Sequence, residues 1–221
     1  MIYFLGSSHA AIHLRDAAIQ RGVPMALGID QAKIIFISED TPTDEHGNRD
    51  LQPIRNLIQV ALGYGVPIVL TSQVPPGFTR SLKLSGIYHL AETLRIKDAM
   101  QRALSPEQFI LGCANPEAIP DCPLPDALRK YFQAFGDVPV HYMTLEEAEF
   151  AKIAINLFLA AQVDITNRLA KAAEKVDARW EPIANVLRHD KRIGPHAYLT
   201  PGRWQDSKHL LRDHVTLQAI E

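Results

Sequence analysis

Lys152 and Asn156 stand inside the most apolar stretch of the sequence, residues 150–163, and Asn167 follows. At about 100° per residue the three side chains share one face of a helix. A lysine among apolar neighbours costs free energy unless its charge is paired. This face therefore reads as the wall of a polar pocket. A solvated notch with a snorkelling lysine has the same spacing. His209 and Asp213 lie one helical turn apart, which suits an imidazole base oriented by a carboxylate and equally suits a surface pair. His9 and His13 have a metal-compatible spacing at a helix start, but no third ligand accompanies them, and histidines lining a cleft have the same pattern. Gly6-Ser7-Ser8-His9-Ala10-Ala11 keeps the first glycine of a dinucleotide fingerprint and neither of the others. Asp30 stands where a ribose-binding acid would follow, and reads equally as loop.

These residues need elements to hold them. With 221 residues, 47% of them hydrophobic and 22% charged, the chain can bury one sizeable core or two small ones. A net charge of -2 with no basic run excludes a nucleic-acid backbone or an anionic membrane as partner. The apolar stretch is shorter than the roughly 18 to 20 residues that span a bilayer, and the opening residues lack the basic start of a signal peptide. Cys113 and Cys122 are too few for a disulfide framework and lack zinc-site spacing, which fits a reducing cytoplasm.

Short apolar runs at 2–5, 33–37, 68–71 and 109–111 read as buried parallel strands. Amphipathic stretches at 10–21 and 51–64 lie between them, with Gly22 and Gly65 at the expected helix stops. Residues 23–27 are the one place for a further strand, and the polar segment 44–50 reads as an exposed loop. Beyond Val140, Thr144 and Glu147 form a capping box that starts a helix running to about residue 176. The fold class is therefore α/β, with a sheet domain at 1–140 followed by an all-helical region at 141–221. An apolar girth of this extent around the long helix predicts a homodimer through residues 144–176.

Several segments, in order, resemble the UDP-glucose/GDP-mannose dehydrogenases. Ile37-Ser38-Glu39-Asp40-Thr41-Pro42-Thr43-Asp44 is similar to the family's V-x-T-P-x-D loop, and Ser72-Gln73-Val74-Pro75-Pro76-Gly77 to its S-T-V-P-P-G strand end. Glu92-Thr93-Leu94-Arg95, then Pro106 and Ile110-Leu111-Gly112, follow P-E-F-L-R-E-G…P-D-R-I-V-x-G in outline. Ala148-Glu149, Lys152, Asn156, Leu159-Ala160 and Asn167 follow the helix motif A-E-x-x-K-x-x-x-N-x-x-L-A…N. Arg192-Ile193-Gly194-Pro195, Leu199, Pro201-Gly202 and Arg212-Asp213 follow R-I-G-x-x-F-L-x-P-G…K-D.

The resemblance implies a shortened Rossmann-like sheet with a helical dimerisation region, NAD as cofactor and a nucleotide sugar as substrate. In the family a primary alcohol is oxidised twice through a thiohemiacetal and a thioester on a cysteine. By the same resemblance, Gly6, Ser8, Ala11, Thr41, Pro42 and Gln73 face the cofactor. Glu92, Arg192, Tyr198, Leu199 and Gly202 face the substrate, and Lys152, Asn156, His209 and Asp213 are the catalytic set, with Lys152 and Asn156 at the positions that stabilise negative charge on an oxygen or hold a water. His209 falls where the family has its cysteine, so the thioester route has no nucleophile. Gln73, Ile96 and Arg212 replace the family's threonine, second glutamate and lysine, and Arg203-Trp204-Gln205-Asp206-Ser207 replaces its glycine-rich turn. The chain stops soon after Asp213, where the family continues into a C-terminal nucleotide-binding domain. Two expectations follow: an oxidoreductase limited to one two-electron step, or a catalytically inactive dimeric binding or regulatory protein.

Overall fold

The computed structural model describes residues 1–118 and 124–221, so Cys122 lies outside the described residues. The chain divides into two compact units: Met1–Pro42 with Asp50–Lys152, and Thr43–Arg49 with Ile153–Glu221.

The first unit is built on a sheet in the order β1-β2-β3-β4-β5-β6. Its strands are β1 (Ile2–Leu5), β2 (Ile34–Ile37), β3 (Ile68–Leu70), β4 (Ile87–Ala91), β5 (Phe109–Cys113) and β6 (Val140–Thr144). The first helices are α1 (His9–Gln20), α2 (Gln52–Leu62), α3 (Phe78–Ser81), α4 (Ala99–Leu104) and α5 (Asp126–Gln133). Strands β1 to β4 are mutually parallel, with Phe4 opposite Phe36 and Phe36 opposite Val69. Both faces of β2 are covered, so its sequence is apolar at every position. Phe36 packs with Phe4, Val69 and Tyr131 on one side, while Ile35 and Ile37 meet Ile54, Ile58 and Leu70 on the other.

Two expectations are corrected. Strand β5 runs antiparallel to β4 and parallel to β6. Residues 23–27 form no strand; Met25 makes a single bridge to Ile2. The Ile2 amide donates to the Pro24 carbonyl and the Ala26 amide to the Ile2 carbonyl, both at 2.9 Å, which completes that one bridge. The segment 44–50 is a loop exposed at most positions, as expected; Thr43 bridges Arg49, Asp44 accepts from the amides of His46 and Asn48, and Gly47 is buried. Gly47 has φ +87°, and a Cβ there would lie 2.7 Å from Val215, so this turn packs on the C-terminal helix of its own unit.

The helix α6 (Leu145–Glu174) begins in the first unit and continues into the second. Its capping box is formed: the Thr144 amide donates to Glu147 at 2.7 Å and the Glu147 amide to Thr144 at 3.2 Å. Gly112 of β5 lets this helix approach, since a Cβ there would stand 2.8 Å from that of Ala148. The second unit adds α7 (Trp180–His189) and α8 (Lys208–Gln218).

Candidate functional site

In the first unit, the turn from β1 into α1 is pressed against the end of β2. Gly6 has φ +123°, and a Cβ on it would collide with the Ser38 carbonyl. Ser8 caps α1, its hydroxyl accepting from the Ala11 amide at 3.0 Å and donating to the Ser38 carbonyl at 3.0 Å. Gly6, Ser8 and Ala11 thus stand together, as their spacing implies. The side chain that meets this turn is Glu39, which sequence reasoning missed. Its carboxylate accepts from the Ser7 amide at 2.9 Å and the Ser7 hydroxyl at 3.3 Å, while its other oxygen accepts from the Asp40 amide at 3.1 Å. The Ser72 hydroxyl accepts from the Glu39 amide at 2.8 Å and fixes the backbone there. His9 and His13 bring their Nε2 atoms to 3.1 Å.

Thr41 is buried, with its hydroxyl 3.5 Å from the Gln73 carbonyl, whereas Pro42 is exposed. Lys152 places its ammonium 3.7 Å from the Glu92 carboxylate, which also accepts from the Leu94 amide at 2.7 Å. The buried lysine is therefore paired, as the cost of burying its charge requires. Glu149, three residues before Lys152, is the anchor that sequence reasoning passed over. Its buried carboxylate accepts from the amides of Gly77 at 2.6 Å and Thr79 at 2.8 Å. Burial raises its pKa against the opposing pull of those hydrogen bonds. Cys113 is buried, and desolvation raises its pKa, so it is a protonated thiol and no nucleophile at neutral pH.

In the second unit, Asp213 is 0% exposed. One of its oxygens is ion-paired with Arg49 and the other accepts from the Asn156 amide at 2.6 Å. Arg49 is pulled down to about 10, first by burial and against the attraction of Asp213, so it stays charged at neutral pH. His209 is exposed on α8. Arg192 is also exposed and pairs with Asp190 at 2.7 Å. Tyr198, Leu199 and Gly202 belong to a segment whose backbone is tied down. Gln162 and Thr166 of α6 bond the Tyr198 amide and carbonyl at 2.8 and 2.9 Å. Asn167 makes a reciprocal pair with Gly202 at 2.7 and 2.9 Å, and Trp180 donates to the Leu199 carbonyl at 2.8 Å. Trp204 continues the attachment by donating to Asp164 at 2.7 Å. The bulky run that replaces a glycine-rich turn is thus docked on α6.

Residues 146–219 match the UDP-glucose/GDP-mannose dehydrogenase family, central domain, and 75–76% of the chain aligns at 32% identity with an uncharacterised protein of Methanocaldococcus jannaschii and at 28% with UDP-glucose 6-dehydrogenase YwqF of Bacillus subtilis. The chain belongs to the UDP-glucose/GDP-mannose dehydrogenase family. It spans 20% of the archaeal relative and 40% of YwqF. The fold agrees with a UDP-glucose dehydrogenase from Pyrobaculum islandicum, with TM-score 0.72 and 22% identity over 97% of this chain and 54% of that one.

Membership of this dehydrogenase family implies NAD, whose pyrophosphate would lie on the turn between β1 and α1. The residues present do not fit it. The Ser7 amide that would meet a phosphate oxygen already donates to Glu39, and Ser8 puts a side chain where the fingerprint has a glycine. A cavity of about 30 Å³ lies beside β4, lined by Thr71, Glu92 and Arg102 among others. Among the described residues no helix is long and apolar enough to cross a membrane.

Proposed function

We propose that this chain is a nucleotide-sugar-binding member of the dehydrogenase family in which the family's oxidation does not take place, and that it works as a homodimer in the cytoplasm. The observation that carries this reading is the state of Asp213. An acid or base must reach the proton it moves, within about 2.6 to 3.2 Å. Asp213 is enclosed and its two oxygens are committed to Arg49 and Asn156, which also occupies the amide that the resemblance assigns to oxygen stabilisation. The thiol position supports the same reading, because His209 cannot form an acyl-sulfur intermediate and Cys113 is a buried, protonated thiol.

A second reading, a single two-electron oxidation of an alcohol, is favoured by Lys152, whose ammonium remains paired with Glu92 where it could polarise an oxygen. The dimer is supported by α6. Phe158, Ile165 and Leu169 fall within about 40° of one another on this helix, and all three are exposed. A second copy of the same helix is the occupant that a self-complementary apolar face suits best.

The test is to titrate the protein calorimetrically with UDP-glucose and GDP-mannose, then incubate it with each sugar and NAD. Saturable sugar binding with no reduced cofactor is expected. One NADH per sugar, with aldehyde detected by mass, would favour the second reading. Uronate with two NADH per sugar would overturn both.

A further inference from the structure

The turn between β1 and α1 has the features of an anion site. It combines the N-terminus of a 12-residue helix, a glycine at φ +123° pressed on the neighbouring strand, and backbone and hydroxyl donors at Ser7. An anion is already there. We propose that Glu39 is an internal anion that takes the place of a dinucleotide pyrophosphate and excludes it from this chain.

The geometry supports this in three ways. Two donors of Ser7 and the amide of Asp40 converge on the Glu39 carboxylate, so it is held as a bound anion would be. The Glu39 backbone is fixed by Ser72 at 2.8 Å, and the neighbouring Ser38 carbonyl accepts from Ser8 at 3.0 Å, so the carboxylate is delivered by a short, anchored side chain. Position 39 follows a strand that is buried throughout, so the acid projects from the rim of the sheet beside the turn. A pyrophosphate entering the turn would lose the Ser7 donors to Glu39 and meet a like charge within a few ångströms, where repulsion is strong. The inference is separate from the absence of oxidation, which rests on Asp213 in the other unit.

The test compares the wild-type chain with Glu39→Gln and Glu39→Val by calorimetric titration with NAD and with ADP, with thermal melts and circular dichroism as fold controls. Glutamine keeps an acceptor for the Ser7 amide and removes only the charge. The wild-type chain is expected to show no saturation below about 1 mM, and the variants to bind NAD at least about tenfold more tightly. Saturation of the wild type below about 1 mM would overturn the proposal, as would variants that melt like the wild type and bind no better. The Ser7 amide gives a readout without ligand: its proton and nitrogen resonances should shift on Glu39→Gln, and an unchanged Ser7 amide would also overturn it. Formation of NADH is scored separately. A Glu39→Gln variant that binds NAD and oxidises a nucleotide sugar would uphold the internal anion while overturning the non-oxidising function.

Discussion

Replacing Arg49 by methionine would leave the Asp213 carboxylate in a site with no solvent exposure and with the Asn156 amide as its remaining hydrogen-bond donor of those described above. Removing one partner of a buried ion pair costs about 3 to 5 kcal/mol, because the other charge stays buried without its counter-ion. Asp213→Asn should also be destabilising, since it takes the counter-charge from an Arg49 guanidinium whose side chain is 4% exposed. The double variant Arg49→Met, Asp213→Asn removes both charges of the pair and should recover part of the loss, with the buried Arg212 remaining beside the site. Urea unfolding of the four proteins, followed by circular dichroism, closes a double-mutant cycle. With a total stability of about 5 to 15 kcal/mol, each single variant should show a large drop in midpoint. If Asp213→Asn costs less than about 1 kcal/mol and couples to Arg49 by nothing measurable, the carboxylate is free for chemistry and the structural role assigned to it is wrong.

Three further outcomes are expected. Gly112→Ala would push a Cβ to 2.8 Å from that of Ala148, and the overpacking should cost about 1 to 3 kcal/mol in urea unfolding, whereas Gly136→Ala, with no atom near its Cβ, should show only the smaller backbone cost of a positive φ. His89 is buried, and desolvation lowers its pKa to about 4 from an ordinary 6.5, so between those values the unfolded chain holds a proton that the fold does not. Stability should therefore fall as pH drops from about 6.5 towards 4, by about 3 kcal/mol in all, and His89→Gln should remove that part of the slope. Phe158, 74% exposed on α6, should on change to glutamate shift a sedimenting dimer to monomer without loss of helix content; a wild-type monomer at micromolar concentration would refute the dimer.

Much of the architecture was legible because it rests on local patterns. The run Ile34-Ile35-Phe36-Ile37 is apolar at every position because both faces are covered, and Thr144 with Glu147 announces the start of α6 through a contact three residues apart. Strand β4 escaped because His89 interrupts its apolar run, and its burial depends on neighbours contributed by β3 and β5. The candidate site was legible as residue types and poorly legible as roles. Lys152 reads as needing a counter-charge, but nothing local names Glu92. The partner of Asp213 lies 164 residues away in a segment that reads as loop. Glu39 stands in a quoted motif, yet its meaning depends on Ser7, 32 residues earlier. Local spacing carries no trace of such pairs; the nearest signal was an acid two residues past a fully buried strand.

The most direct test of the account is to follow reduced cofactor by absorbance, and the sugar by mass, when the protein is held at high concentration with NAD and UDP-glucose. With Asp213 locked between Arg49 and Asn156 and no thiol to carry an acyl group, neither NADH nor any oxidised sugar should appear above the level without protein. UDP-glucuronate formed with two NADH per sugar would contradict it.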